Sequence, residues 1–437
     1  MAQRDTIYAL SSGGLPSGVA VIRLSGPATL PVLRALAGPL PPPRELGLRS
    51  IRDARGTFLD RGLMVIFPAP HSFSGEDCGE LHLHGGRAVV FAVLDELGRQ
   101  PGLRAAEAGE FTRRAFLEGK LDLTRAEGLA DLIAAETEAE RRLAVATSGG
   151  ALDRLYSGWR RQLLQARALL EAELDFSDEA DVPGSVSDKI WPQLATLAQE
   201  IREHLAGFRS AEMIRDGFKV VIVGAPNAGK SSLLNALAGR DAAIVTDIPG
   251  TTRDIVQVTL DLGGYRIHIS DTAGLRESSD AVERIGIARA REHAEEADLL
   301  LLLCDGVTPV PDVSGATPRL LVRTKIDVNP PEDGEPLDLS VSSKTGEGLP
   351  RLTATIQSRA AMMMDIGDRA VPTRARHVDL LADCATSLVR AVDIADAQLE
   401  LSAEELRSAA DSLGRITGAI DVEEVLGSIF STFCVGK

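Results

Sequence analysis

Short apolar runs alternate with turns over the first 119 residues, a pattern typical of strands rather than of long helices. Apolar runs at Val19–Leu24, Leu63–Phe67 and Glu80–His84 are separated by segments rich in Gly and Pro. The pattern therefore predicts an α+β domain over residues 1–119.

The character of the chain changes at Leu121, where Ala, Glu and Leu begin to recur at helical spacing. The pattern predicts one long helix that runs to Gly149, with a capping box formed by Thr124 and Glu127. A second helix is predicted over Leu152–Leu174, and helical periodicity returns after an acidic break at Ser177–Ser187 and continues through Leu205.

Strands alternate with helices over residues 217–365, which predicts a mostly parallel sheet wrapped by helices. Helical segments lie on both sides of this region, so the simplest topology is an α/β domain inserted into an all-α domain. The predicted fold class is thus multidomain: an α+β domain (1–119), a helical domain in two parts (120–216 and 366–437), and an inserted α/β domain.

A phosphate-binding motif opens this α/β domain. The segment Gly-Ala-Pro-Asn-Ala-Gly-Lys-Ser at 224–231 follows an apolar strand and precedes a helix, as a P-loop requires. Its backbone N–H groups and the helix N-terminus can converge on phosphate oxygens. Lys230 is then expected to reach the β- and γ-phosphates, and Ser231 to ligate magnesium.

Three further segments follow in the order of a guanine-nucleotide site, each at the end of a predicted strand. Asp271–Gly274 provides a carboxylate near magnesium and an N–H for the γ-phosphate. Thr324–Asp327 provides a carboxylate, Asp327, that can accept the N–H groups of guanine; adenine lacks those donors. Thr324 stands where Asn is usual, so a hydroxyl replaces an amide. Ser342–Lys344 is expected to close over the base.

The predicted GTP-binding residues are Asn227, Ala228, Gly229, Lys230, Ser231, Ser232, Thr246, Asp247, Ile248, Pro249, Gly250, Thr251, Thr252, Asp271, Thr272, Ala273, Gly274, Thr324, Lys325, Asp327, Ser342, Ser343 and Lys344. The chain lacks a Gln after Gly274, where a Ras-type enzyme orients the attacking water, because residue 275 is Leu. Glu283 is the candidate for that role, although a solvated glutamate at the start of a helix is the commoner explanation of such a residue.

The composition of the chain limits the compartment and the binding partners that we expect for this protein. Apolar runs such as Leu299–Cys304 are far shorter than the roughly 18 residues of a membrane span. We expect a cytoplasmic protein, because the N-terminal segment lacks the charged region, apolar run and cleavage site of a secretory signal. We expect reduced thiols, because the four cysteines are far apart and form no CxxC pair. A net charge of −16 argues against a broad nucleic-acid-binding surface, so any RNA contact is expected to be local or supplied by a partner.

Segments outside the GTPase motifs resemble the tRNA-modifying MnmE (TrmE) family, of the TrmE-Era-EngA type of GTPases. The resemblance covers essentially the whole chain. It rests on Asp5–Ile7, Val21–Gly26, Ser72–Asp77, His84–Gly86, Gly109–Phe111, Lys120–Leu123, Ala243–Asp254, Gly414–Gly418 and Phe433–Lys437.

The resemblance implies a homodimer, paired through an N-terminal folate-binding domain, in complex with the FAD-dependent partner MnmG (GidA). Together they form a carboxymethylaminomethyl or aminomethyl group on the wobble uridine of certain tRNAs. The one-carbon unit comes from 5-formyl- or 5,10-methylene-tetrahydrofolate, and glycine or ammonium provides the nitrogen. The resemblance assigns Arg23, Glu80, Lys120 and Lys437 to the folate. It also associates the tail that carries Cys434 with the folate end, so we predict that Cys434 serves the modification reaction or the architecture of the folate site rather than prenylation.

A potassium ion is the candidate to replace an arginine finger during hydrolysis. Asn227 offers a side-chain oxygen, and Thr246, Ile248 and Thr251 offer backbone carbonyls, which leaves Thr252 for magnesium. The resemblance implies the same potassium site, completed when two G domains face each other.

Two other functions stay open. A regulatory or ribosome-assembly GTPase would have the same motifs but should add a basic RNA-binding module. A folate-dependent aminomethyl transferase acting alone would leave the GTP site without a purpose. The pair His82 and His84 suggests a metal, but no third ligand accompanies it in the sequence.

Overall fold

A computed structural model describes residues 5–175, 187–239, 257–271, 296–308, 316–332, 334–367, 369–395, 398–420 and 423–436. The chain divides into two compact units. Unit 1 comprises residues 1–130, 147–194 and 387–437, and unit 2 comprises residues 131–146 and 195–386.

The N-terminal part of unit 1 is a six-stranded sheet with helices. Its elements are β1 (Thr6–Leu10), β2 (Ser17–Ser25), α1 (Thr29–Ala37), β3 (Gly47–Arg52), β4 (Phe58–Phe67), β5 (Cys78–Gly85), α2 (Arg87–Arg99), β6 (Leu103–Ala105) and α3 (Glu110–Leu117). The strand order is β3-β4-β5-β2-β1-β6, and only the β1–β6 pair is parallel. Apolar side chains of α1 and α2, such as Leu33 and Val93, pack with Ile22 and Leu81 of the sheet into one buried core.

In the part of the chain that the structure describes, five helices follow the sheet: α4 (Leu123–Ala134), α5 (Glu138–Ser148), α6 (Ala151–Asp175), α7 (Ser187–Leu205) and α8 (Phe208–Asp216). The single long helix predicted from Leu121 to Gly149 is therefore wrong, because the chain breaks between α4 and α5. A capping box causes the break: the Glu140 carboxylate accepts the N–H groups of Glu136 (2.8 Å) and Thr137 (3.4 Å), and Thr137 Oγ1 accepts the N–H of Glu140 (3.4 Å).

The start of α4 also differs from the prediction. Asp122 caps it, since its Oδ1 accepts the backbone N–H of Arg125 at 2.9 Å. Thr124 lies inside the helix and donates its hydroxyl to the same carboxylate at 2.5 Å. Asp122, two residues earlier, is thus the N-cap residue that the sequence pattern predicted at Thr124.

Unit 2 contains a second six-stranded sheet. Its elements are β7 (Phe218–Gly224), α9 (Lys230–Ala238), β8 (Gln257–Leu262), β9 (Tyr265–Asp271), β10 (Leu299–Cys304), β11 (Arg319–Arg323), β12 (Leu339–Ser340) and α10 (Leu349–Met363). The order is β12-β11-β10-β7-β9-β8. Every neighbouring pair is parallel except β8–β9. The carboxyl ends of five strands therefore point to one edge of the sheet.

Three helices lie among the described residues after 369: α11 (Ala375–Asp393), α12 (Leu399–Thr417) and α13 (Glu423–Ser431). Helix α12 packs along α6 within unit 1. Gly414 permits close packing, because a Cβ there would lie 2.7 Å from Ile420 Cδ1 and 3.1 Å from Arg160 Nε. None of the helices that the structure describes is long and apolar enough to cross a membrane.

The histidines of α7 and α11 meet inside unit 2 and make its stability depend on pH. Burial, together with the neighbouring His377, lowers the pKa of His204 to about 4, from an ordinary value of 6.5. The unfolded chain therefore binds a proton at His204 more readily than the folded chain does. The stability that this difference contributes is fully present above pH 6.5 and is lost as the pH falls towards 4.

We expect the unfolding free energy of unit 2 to fall by about 2 kcal/mol between pH 7 and pH 5 through this group. The His204→Gln variant should lose that part of the pH dependence, and His71→Gln, which removes an exposed histidine, should keep it. Denaturant unfolding at both pH values measures the difference. Equal pH slopes for wild type and His204→Gln would contradict the assignment.

Candidate functional site

The P-loop, residues 224–231, connects β7 to α9. Gly229 has φ +92° and Asn227 φ +65°, so the chain turns through two left-handed residues before the helix begins at Lys230. At position 229 the strain is relieved because the residue is glycine. Lys230 is buried, and its Nζ donates to the carbonyls of Gly224 (2.8 Å) and Ala225 (3.0 Å). The ammonium group is thus held at the mouth of the loop.

Ser231, a predicted magnesium ligand, meets Asp271, the carboxylate predicted near the ion, whereas the other predicted ligand, Thr252, lies outside the described residues. Because β7 and β9 are parallel, Asp271 at the end of β9 lies beside the start of α9, and Ser231 Oγ donates to Asp271 Oδ2 at 2.9 Å. Asp271 is buried, so its carboxylate is held by its surroundings. A hydroxyl and a carboxylate oxygen at one point are the hard ligands that Mg²⁺ prefers, and these residues fit the ion.

The base loop, residues 324–327, follows β11. Lys325 adopts φ +57°, a left-handed conformation that turns the chain between Thr324 and Asp327. Asp327 Oδ1 accepts the Ser342 hydroxyl at 2.7 Å. Ser342 is buried, and its Oγ also accepts the Thr345 N–H at 3.1 Å. The segment that carries Ser343 and Lys344 therefore orients the carboxylate expected to select guanine.

Asp305 is a site residue that the sequence analysis missed. It follows β10, and its Oδ2 lies 3.2 Å from Lys325 Nζ. Burial opposes its ionisation, but the N–H groups of Thr308 and Val307 together with Lys325 lower its pKa to about 2. It therefore stays charged and holds the stem of the base loop. An acidic residue directly after the apolar run 299–304 was the available signal.

Arg323 supports the same loop from inside the sheet. Its guanidinium is buried and donates to Glu335 Oε1 at 3.2 Å. A Cβ on Gly306 would lie 1.5 Å from Arg323 Nη1, so the guanidinium occupies the space where a side chain at position 306 would lie. The buried charge thus depends on a glycine in the neighbouring strand connection.

Several predicted site residues lie outside the residues that the structure describes. They are Thr246, Asp247, Ile248, Pro249, Gly250, Thr251, Thr252, Thr272, Ala273, Gly274, Glu283 and Lys437.

A second polar cluster lies on the sheet of unit 1. Arg23 on β2 and Glu80 on β5 are register partners, and the Arg23 guanidinium donates to Glu80 Oε1 at 2.9–3.0 Å. The guanidinium carbon lies 6.0 Å from the ring centre of Phe73 and 5.8 Å from that of Phe111. A charged pair and two aromatic rings therefore form one cluster, which we call the Arg23 cluster.

The neighbouring histidines bind carboxylates rather than each other. His82 Nε2 lies 3.1 Å from Glu80 Oε2, and His84 Nδ1 lies 2.8 Å from Asp60 Oδ1. Within the part of the chain that the structure describes, no three His, Cys, Asp or Glu side chains form a group that could hold a metal ion.

Lys120 and the C-terminal tail reach the surroundings of this cluster. Lys120 is exposed, and its Cε would lie 3.3 Å from a Cβ on Gly75, in the loop that carries Phe73. The carbonyl of Cys434 accepts the N–H of Gly109 at 3.4 Å, directly before the helix that carries Phe111. Cys434 itself is exposed.

The P-loop, the Ser231–Asp271 pair and the base loop at one edge of a mostly parallel sheet define a P-loop GTPase. Two family models match the chain: "GTP-binding protein TrmE N-terminus" over residues 6–120 and "MnmE helical domain" over residues 123–434. The chain belongs to the MnmE family, and membership implies GTP and Mg²⁺ as its nucleotide and metal.

Full-length relatives agree with this family. The chain is 55% identical over 441 residues to the tRNA modification GTPase MnmE of Rhizobium meliloti, with 100% of both chains covered. It is 54% identical to the protein of that name from Brucella anthropi, covering 99% of this chain and 98% of the relative. Among solved structures, the G domain of the T. maritima FeoB iron transporter matches 33% of this chain and 98% of its own, at 30% identity and a TM-score of 0.24.

Asp327→Asn should lower GTP affinity about 10- to 100-fold and raise affinity for xanthosine triphosphate. The carboxylate is expected to accept two adjacent N–H groups of guanine, and loss of a charged hydrogen bond costs roughly 1.5–3 kcal/mol. Fluorescent-nucleotide titration measures both affinities. Asp365→Asn, an exposed carboxylate of the same unit, is the matched control. Unchanged GTP binding in Asp327→Asn would reject the assignment.

Proposed function

We propose that this protein is a GTPase that modifies the wobble uridine of certain tRNAs together with an FAD-dependent partner of the MnmG (GidA) type. The product is a carboxymethylaminomethyl or aminomethyl group at C5, built from a tetrahydrofolate one-carbon unit. The observation that carries the proposal is the presence, in one chain of this family, of both a guanine-nucleotide site and the Arg23 cluster.

The Arg23 cluster has the chemistry to bind a folate. A pterin is a flat ring with a donor edge, which suits the exposed aromatic ring of Phe73 and a carboxylate acceptor. Glu80 is held between Arg23 and His82, so its carboxylate is oriented before a ligand arrives. Lys120 and Lys437 add positive charge for the anionic glutamate tail of the folate. We propose these four residues, Arg23, Glu80, Lys120 and Lys437, as the folate site.

Cys434 is proposed to act in the modification reaction or in the architecture of the folate site. Its support is the tail itself: Val435 forms an antiparallel bridge with Ala108, and Gly436 accepts the Ser11 hydroxyl at 2.8 Å. A Cβ on Gly436 would lie 2.2 Å from the Leu10 carbonyl, so glycine lets the tail lie against the end of β1. The exposed thiol is thus held beside the N-terminal sheet.

Wobble-uridine modification should disappear from cellular tRNA when the gene is deleted and return when wild type is restored. Glu80→Gln and Cys434→Ser should each fail to restore it while their purified proteins keep GTPase activity. Glu45→Gln, at an exposed position of the same unit, should restore it. Mass spectrometry of tRNA nucleosides measures the outcome. Normal modification in the deletion strain would refute the proposed function, and normal modification with Cys434→Ser would refute the role of the thiol.

Potassium is proposed to supply the positive charge that stabilises the transition state of hydrolysis. Asn227 supports this role, because its left-handed backbone places it, exposed, at the tip of the P-loop. Its amide oxygen, with the carbonyls of Thr246, Ile248 and Thr251, would form a set of neutral oxygen ligands suited to a weakly charged cation. Thr252 joins Ser231 at magnesium, and Glu283 orients the attacking water.

Potassium should accelerate GTP hydrolysis about tenfold or more over sodium, because arginine fingers in the equivalent role contribute about 10³–10⁵. Asn227→Ala should abolish the response, and Glu283→Ala should slow hydrolysis without weakening GTP binding. Turnover is measured at matched ionic strength with saturating GTP. Equal rates in both salts would remove the cation from the mechanism.

The domain arrangement is proposed to link GTP hydrolysis to tRNA modification. The folate-binding and dimerisation domain spans residues 1–119, the helical domain spans 120–216 and 366–437, and the GTPase domain spans 217–365. A homodimer would bring two GTPase domains together, as the potassium site requires. The protein is proposed to act in the cytoplasm.

A further inference from the structure

Thr324, where Asn is usual in a base loop, is almost completely enclosed. It is 2% exposed and follows the last residue of β11. Its backbone N–H donates to the Cys304 carbonyl at 2.8 Å, which fixes the start of the base loop to the end of β10. The side chain therefore has little freedom to turn towards a ligand.

The hydroxyl of Thr324 faces two acceptors from the protein itself. Oγ1 lies 2.7 Å from the Ala228 carbonyl, in the P-loop, and 3.2 Å from the Cys304 carbonyl. A threonine hydroxyl carries one proton, and carbonyl oxygens donate none. The shorter distance assigns that proton to Ala228. The hydroxyl then has no proton left to donate to a nucleotide base.

Thr324 also lies beside the next P-loop residue. A Cβ built on Gly229 would lie 3.8 Å from both Cβ and Oγ1 of Thr324, so the two residues are neighbours in space. Ala228 is completely buried, and its carbonyl would lose a hydrogen bond if the hydroxyl were removed. Thr324 thus ties the turn at Ala228 and Gly229 to the base loop.

An asparagine at this position would behave differently. Its amide carries two N–H donors, so one can hold a backbone carbonyl while the other reaches a ligand. Guanine presents N7 as a hydrogen-bond acceptor, on an edge other than its N–H donors. The exchange of amide for hydroxyl therefore removes the donor that could read N7 and keeps the donor that holds the P-loop.

We propose that Thr324 is a positioning residue for the P-loop and that guanine N7 is not read by this side chain. Base selection then rests on the N–H edge recognised by Asp327, and the link between base loop and phosphate loop rests on one hydroxyl. The proposal depends on the assignment of the base site to residues 324–327.

The test compares GDP with 7-deaza-GDP, in which a C–H replaces N7, by equilibrium titration of the full chain. Wild type should bind the two within about twofold of each other, whereas Thr324→Asn should prefer GDP about fivefold or more. Thr324→Val should lower the affinities for GDP and 7-deaza-GDP about tenfold each and leave their ratio unchanged, because it removes the hydrogen bond to the Ala228 carbonyl. Thr324→Ser, which keeps the hydroxyl, should rescue most of that loss.

A wild-type preference for GDP above fivefold that Thr324→Val abolishes would overturn the proposal, since Thr324 would then read N7. Wild-type GDP affinity in a folded Thr324→Val protein would overturn the positioning role. The ratio of GDP to 7-deaza-GDP affinity is also measured on wild type, so the result does not depend on every variant folding. Unchanged GTP affinity in Asp327→Asn would instead reject the base-site assignment, whatever the ratio.

Discussion

The nucleotide site depends on the parallel register of four strands. Pairing of β7 with β9 and β10, and of β10 with β11, brings the carboxyl ends of all four to one edge. The P-loop, Asp271, Asp305 and the base loop each begin where one of these strands ends. Residues separated by up to about a hundred positions therefore meet without any long-range constraint beyond backbone hydrogen bonding.

That register explains why the sequence predicted so much of this site. Strand ends are visible in the apolar pattern, and parallel pairing leaves little freedom in where the following residues lie. The pattern placed Ser231, Asp271, Asp327 and Ser342 at strand ends or helix starts, and the structure brings them together in two pairs. It could not show that the Thr324 hydroxyl faces the P-loop, because that contact crosses between elements 96 positions apart.

Predictions were weaker where side chains compete for the same backbone groups. Thr124 and Glu127 match a capping box as well as Thr137 and Glu140 do, but Asp122 already caps the first helix. Likewise, Arg23 and Glu80 read as separate surface charges in the sequence, since only the register of β2 against β5 pairs them. Cross-strand register and cap competition are tertiary information, which periodicity does not contain.

The contact between Arg323 and Gly306 restricts position 306 in any descendant of this chain. Gly306 has φ +74°, which strains any other side chain, and a Cβ there would also meet the Arg323 guanidinium. Replacement of Arg323 would clear that space but not the backbone strain, and it would leave Glu335 without that ion pair. Position 306 should therefore stay glycine during evolution whatever residue occupies 323, although it is assigned no contact with the nucleotide.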